Sequence, residues 1–425
     1  MSLAREAATG APNRTPRLYA LVALLITYTL NFVDRQIVSI LAVPIKSDLV
    51  LTDSQLGLLG GLAFALFYTL LGIPIARLAD RVNRVWIVTL ALGTWSLMTA
   101  VCGLAQSFAQ LFLARVGVGV GESGGVSPSY SLICDYFPIH ERARALAVYS
   151  FGIPIGSAIG IFAGGYLTTV MDWRTAFFLV GGIGLIVTPI FRLTMREPVR
   201  GGLDDVAPST PTSFGDVVRL LTRKPGFWAL SLGTAASSMM SYGLLFWLPS
   251  FFVRSFHLSV LDAAMAFGGL TLLGGVGGIW FGGVLADRYG PGRKSVYGLI
   301  PAVALVCSVP LYVAGVMADT LWTSVVLMLI PTALGLAWMG PVLSAIQHLV
   351  PSHMRSTASA IFLFLNSLIG IGLGSMVIGA LSDAMHATHG EQSLRYAILS
   401  GLGIYVIAAG LFLLGSRRLE RDWEH

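Results

Sequence analysis

Twelve times between residues 18 and 416 the chain runs for about 20 residues or more with scarcely a charge. A run of that length crosses the hydrocarbon core of a bilayer as an α-helix. In lipid each such segment has to satisfy its own backbone N–H and C=O groups, which a helix does. The runs read as spans at 18–45, 53–78, 85–105, 107–136, 143–170 and 173–193, then 226–253, 261–286, 294–315, 320–349, 356–385 and 394–416. The fold class this predicts is an all-α membrane protein of twelve transmembrane helices. Charge agrees: 11% of residues are charged, against about 25% in a soluble domain, and the mean hydropathy is +0.77.

The polar stretch from Thr194 to Lys224, with three prolines and both charge signs, separates two sets of six. The expected organisation is a cytoplasmic segment at 1–17, a six-helix half at 18–193, a cytoplasmic linker at 194–224, a second half at 225–416 and a cytoplasmic tail at 417–425. Lys and Arg set orientation through their excess in inner loops. Of the 27 Lys and Arg, Lys46, Arg174, Arg254 and Arg395 fall in outer loops, Arg35 and Arg115 fall within spans, and the rest fall inside if both termini are cytoplasmic. The net charge of +6 is spread over short loops, which argues against a nucleic-acid surface. The three cysteines lie in apolar stretches without metal-ligand spacing. We expect no metal and no cofactor.

The halves repeat one another. "ARLADRVNR" carries Asp80-Arg81, and "GGVLADRYGPGRK" carries Asp287-Arg288. Pro128, Ser131, Pro138 and Arg142 recur at one constant offset as Pro341, Ser344, Pro351 and Arg355. Duplication about a central linker is a mark of secondary transporters. The two Asp-Arg loops resemble the loop motif of major facilitator transporters, and "RVGVGVG" resembles that superfamily's arginine motif. "NFVDR" (31–35), "GVGE" (119–122), "DYFP" (135–138) and "FGIPIGSAIG" (151–160) are most similar to the spinster family within it. Ala76 departs from the loop motif, which has glycine there, while Gly283 keeps the second copy closer to pattern. The resemblance implies alternating access, and a conformational latch in which Asp80 and Arg81 face Arg355 while Asp287 and Arg288 face Arg142. Topology-setting loop charge is the simpler account of the same residues.

Four charges stand near the middle of spans, away from either end: Asp34 and Arg35 in the first, Arg115 and Glu122 in the fourth. Each costs about 2.5–3.5 kcal/mol to place at mid-membrane. Adjacent helix positions point about 100° apart, so Asp34 and Arg35 should meet different partners. Arg115 and Glu122 lie seven apart, nearly on one face, about 10.5 Å along the axis. The resemblance, which puts the first and fourth spans around a central cavity, implies that the four share one site. Glu122 and Asp34 read either as proton-coupling acids or as permanent counter-ions, and the residues leave both open. Arg35 and Arg115, with Asn31 in the same segment, are candidates for an anionic substrate. The second half offers milder groups, of which Tyr242, Trp247 and Asn366 are the candidate substrate contacts.

A cavity charged on one wall and apolar on the other suits an amphipathic anion, and the spinster resemblance points to sphingolipids or lysophospholipids. A small organic anion moved with protons, or a transporter-like receptor, are the alternatives. The sequence has no GxxxxGK[ST] loop for nucleotide, and its spans hold no catalytic cluster, so an enzyme is not expected. The expected partners are substrate, protons and membrane lipid, with no nucleic acid, in a protein that acts as a monomer. Short loops point to a bacterial inner membrane.

Overall fold

A computed structural model describes residues 14–79, 81–200, 214–290, 293–351 and 354–423. Among the described residues all regular secondary structure is helical, and ten helical stretches are long and apolar enough to cross a membrane. The last of these, Thr357–Asp422, contains two spans in succession. The fourth span is not among the ten: it is divided into Phe108–Glu122 and Val126–Tyr136, and Arg115 and Glu122 within it lower its hydropathy. With these two points the protein has its twelve spans.

Helix ends fall where local chemistry puts them. Ser107 and Asp172 cap their helices by accepting from the backbone N–H of Gln110 and Thr175, which satisfies a donor the first turn leaves open. Thr52 and Gln55 form a reciprocal capping box ahead of Asp53–Gly60. The eleventh span contains a π-helical turn, Asn366–Ile371, between Arg355–Leu365 and Gly372–His389. Such turns insert an extra residue into the helical ladder.

The chain forms two compact units. The first contains residues up to Leu41 and Ala63–Pro208, and the second contains Ala42–Leu62 and everything from Ser209. In the first unit, small residues let helices approach to backbone contact. A Cβ on Gly156 would stand 2.3 Å from the Thr29 carbonyl, so the helices Arg14–Ile40 and Gly152–Val170 meet with no side chain between them. In the second unit, residues 42–62 are tied in by charge. Asp53 is 2% exposed. Its carboxylate accepts from Arg254 and from Ser382, each at 2.7 Å, and from Lys46 at 2.5 Å. The backbone N–H groups of Asp53 and Ser54 donate in turn to Asp383.

Candidate functional site

The charges of the first and fourth spans pair crosswise inside the first unit. Arg35 Nε and Nη2 both reach Glu122 Oε2 at 2.8 Å. Arg115 Nη1 donates to Asp34 Oδ2 at 3.1 Å, and Thr99 donates to Asp34 Oδ1. The neighbours Asp34 and Arg35 thus serve different partners, as their angular separation requires. Glu122 is fully buried and Asp34 is 1% exposed. Such groups hold a charge only with a partner close by. The two pairs are not equivalent. The Arg115 side chain is 2% exposed and that of Arg35 is 15% exposed. Glu122 Oε1 accepts no hydrogen bond among the described residues.

Glu122 owes its position to the break in the fourth span. It is the last residue of Phe108–Glu122, and the chain turns through Ser123–Gly125 before Val126–Tyr136 begins. The glycines before it serve packing. A Cβ at Gly119 would stand 2.5 Å from the Phe64 carbonyl, and one at Gly121 2.5 Å from the Trp95 nitrogen. The neighbouring helices are therefore held against the backbone of the Glu122 helix, which leaves no room for a ligand at those two positions. Asn31 is 3% exposed, and its Oδ1 accepts no hydrogen bond among the described residues. It lines a cavity of about 10 Å³ with Thr27, Trp95, Ser129 and Tyr149, enough for one water.

The second unit holds the other candidates. Trp247 is fully buried and its indole N–H donates to the Ser375 carbonyl at 2.8 Å, so its one polar group is engaged in helix packing. Tyr242 is half-buried. Asn366 opens the π-helical turn, with its Oδ1 buried and accepting no hydrogen bond among the described residues.

Of the loop-motif residues, Asp80 and the side chain of Asp287 lie outside the described residues. Arg81 is an exposed turn residue. Arg288 is exposed with its guanidinium 5.6 Å from the Tyr289 ring centroid. Arg142 donates from Nε to the Phe137 carbonyl at 3.1 Å. Arg355, exposed, is the first residue of its helix.

Residues 24–375 match the Major Facilitator Superfamily. The chain belongs to that superfamily. Within it this major facilitator protein is most like the spinster family. It is 30% identical over 418 residues to protein spinster homolog 1 of Xenopus tropicalis, covering 92% of this chain and 79% of the relative. It is 34% identical to an MFS-type efflux pump of Mycolicibacterium smegmatis, over 96% of this chain and 94% of that one. Its fold matches a crystal structure of a bacterial homologue of the human lysosomal transporter spinster, captured inward-facing and unoccupied. The TM-score is 0.89 at 32% identity, over 97% of this chain and 99% of that one. The protein is thus an integral, multi-pass membrane transporter and not an enzyme.

Three features escaped the sequence reading. Arg84, 2% exposed, gathers Glu197 through Nε at 2.7 Å and both Asp135 and Ser131 through Nη1. Asp53 and Arg254 form the buried pair of the second unit. Phe32, Phe64 and Tyr68 surround Arg35, with ring centroids 4.9, 4.6 and 4.9 Å from Cζ. Spacing alone carried a faint signal only for the last, since Phe64 and Tyr68 are four apart on one helix face. That pattern reads as ordinary apolar packing.

Proposed function

We propose that this transporter moves an amphipathic, anionic, lipid-like substrate of the sphingolipid or lysophospholipid class by alternating access, driven by protons. The observation that carries the reading is the Arg35–Glu122 pair: a fully buried carboxylate with one oxygen unpartnered, held by the more exposed of two intramembrane arginines. An anionic head that draws Arg35 away leaves Glu122 without its counter-charge, and the acid then takes a proton. Substrate and proton are coupled through competition for one cation. Asp34, held by both Arg115 and Thr99, is the second acid of the site. A lipid-like cargo is what the spinster resemblance implies, and the relative named an efflux pump favours export. A bacterial inner membrane suits both. A small organic anion is the second reading, since a guanidinium recognises any carboxylate or phosphate.

The test is accumulation in proteoliposomes under an imposed pH gradient, with a lysophospholipid and a small organic anion in parallel. The reading expects gradient-dependent movement of the lysolipid, lost in Glu122→Gln while binding to detergent-purified protein persists. Movement of the organic anion alone would replace the lipid with the second reading. Undiminished accumulation in Glu122→Gln would make Glu122 a structural counter-ion.

A further inference from the structure

The two ion pairs of the site differ in what surrounds their arginines. Arg35 has three aromatic rings within 5 Å of Cζ: Phe32 on its own helix, and Phe64 and Tyr68 on the helix Leu62–Ala79. Phe64 and Tyr68 stack on each other with centroids 5.2 Å apart and planes at 22°. Among the described residues Arg115 has a single ring, that same Phe64, at 5.8 Å. The Phe64 backbone is fixed by the close approach at Gly119, so its ring is aimed from a seated position.

A guanidinium parted from its carboxylate in a low-dielectric site is costly to leave bare. Aromatic faces offset part of that cost, because the ring quadrupole attracts a cation most strongly where water is scarce. Arginine suits such a setting better than lysine, since its planar, weakly hydrated head stacks on rings. Arg35 therefore has three ring faces to rest against when its ion pair opens, while Arg115 has the more distant Phe64 ring.

We propose that Phe32, Phe64 and Tyr68 form an aromatic sleeve that solvates the Arg35 guanidinium when its ion pair with Glu122 opens, and that this sleeve makes Arg35–Glu122 the labile pair and Arg115–Asp34 the permanent one. The three rings are positioning residues: they act on the proton site through Arg35. The inference rests on the reading of Glu122 as proton carrier. The ionisable groups around the pair are Asp34 beside Arg35, Arg115 on the Glu122 helix, the phenols of Tyr28, Tyr68, Tyr130 and Tyr149, and the Cys102 thiol near Arg115 and Asp34.

Infrared difference spectroscopy of the purified protein tests this directly, by following the carbonyl band of a protonated carboxyl group as pH is lowered. The parent should show a band that Glu122→Gln removes. In Phe64→Leu and Tyr68→Leu, which keep apolar bulk and lose the ring, opening the pair is costlier. The band should then appear about one pH unit lower, a tenfold higher proton concentration. Tyr68→Phe, which keeps the ring, should titrate like the parent. If Phe64→Leu does not fold, Tyr68→Leu at its half-buried position carries the test alone. A band that titrates identically in the leucine variants overturns the sleeve and leaves the proton carrier standing. A parent without any Glu122-dependent band overturns both.

Discussion

Asp53 takes Nη1 and Nη2 of Arg254 at 2.7 Å each, though 201 residues separate them in sequence. Bidentate geometry of this kind is the strong form of an ion pair. Arg254→Ala would leave a 2%-exposed carboxylate with Lys46 and Ser382 alone. Breaking a buried pair from one side costs about 3 kcal/mol or more. We expect a clear fall in melting temperature by detergent-phase fluorimetry, and a smaller one for Arg254→Ala with Asp53→Asn, which removes the stranded charge.

The Arg115–Asp34 pair should show the same signature more sharply, because both side chains are 2% exposed. Either single alanine variant is expected to lose about 3–5 kcal/mol. The double variant should lose less than the two singles together, and a thermal double-mutant cycle reads the difference. Strict additivity would mean the two side chains do not act as a pair.

Gly119→Ala should destabilise more than Gly125→Ala. The first Cβ would fall 2.5 Å from the Phe64 carbonyl, whereas the second meets its nearest neighbour, the Glu122 carbonyl, at 3.3 Å. Melting curves recorded beside transport should show Gly119→Ala losing stability first. Loss of transport at full stability would show that Gly119 serves ligand entry.

Arg84→Lys should be poorly tolerated despite keeping its charge. Lysine has no planar fork to reach Glu197 and Asp135 at once. A loss of about 2 kcal/mol is expected, measured by thermal unfolding.

Asp172, exposed at the head of Trp173–Thr194, has its carboxyl held below the usual range by hydrogen bonds from the Thr175 side chain and backbone. A carboxylate lowered on folding contributes stability that is complete above its unfolded value, near pH 4. That contribution is lost as pH falls through the folded value. The cap should weaken only under strong acidification. Asp172→Asn, which keeps an accepting oxygen, should flatten the acid limb of a pH–stability curve.

The spans were legible in sequence because lipid allows few alternatives to a helix of about 20 apolar residues. The buried charges were legible for the same reason, since four charges in apolar runs stand out. Which acid meets which arginine was only half legible: angular spacing forbade Asp34–Arg35, but it could not choose between Arg115 and Arg35 for Glu122. The aromatic neighbours of Arg35 and the partners of Asp53 come from elements distant in sequence, and apolar or loop residues of those types are ordinary wherever they occur. The break after Glu122 was missed because Ser123, Gly124 and Gly125 do not interrupt the apolar run that hydropathy reads.

The crosswise pairing gives biosynthesis an order. Chains fold from the N-terminus as they are made, and each bare charge resists entry into lipid. The first span brings Asp34 and Arg35 before the fourth span leaves the ribosome, so Arg115 and Glu122 arrive to find their counter-charges already in the bilayer. A circular permutation that delivers the fourth span ahead of the first should therefore insert poorly, even though the finished bundle would be unchanged.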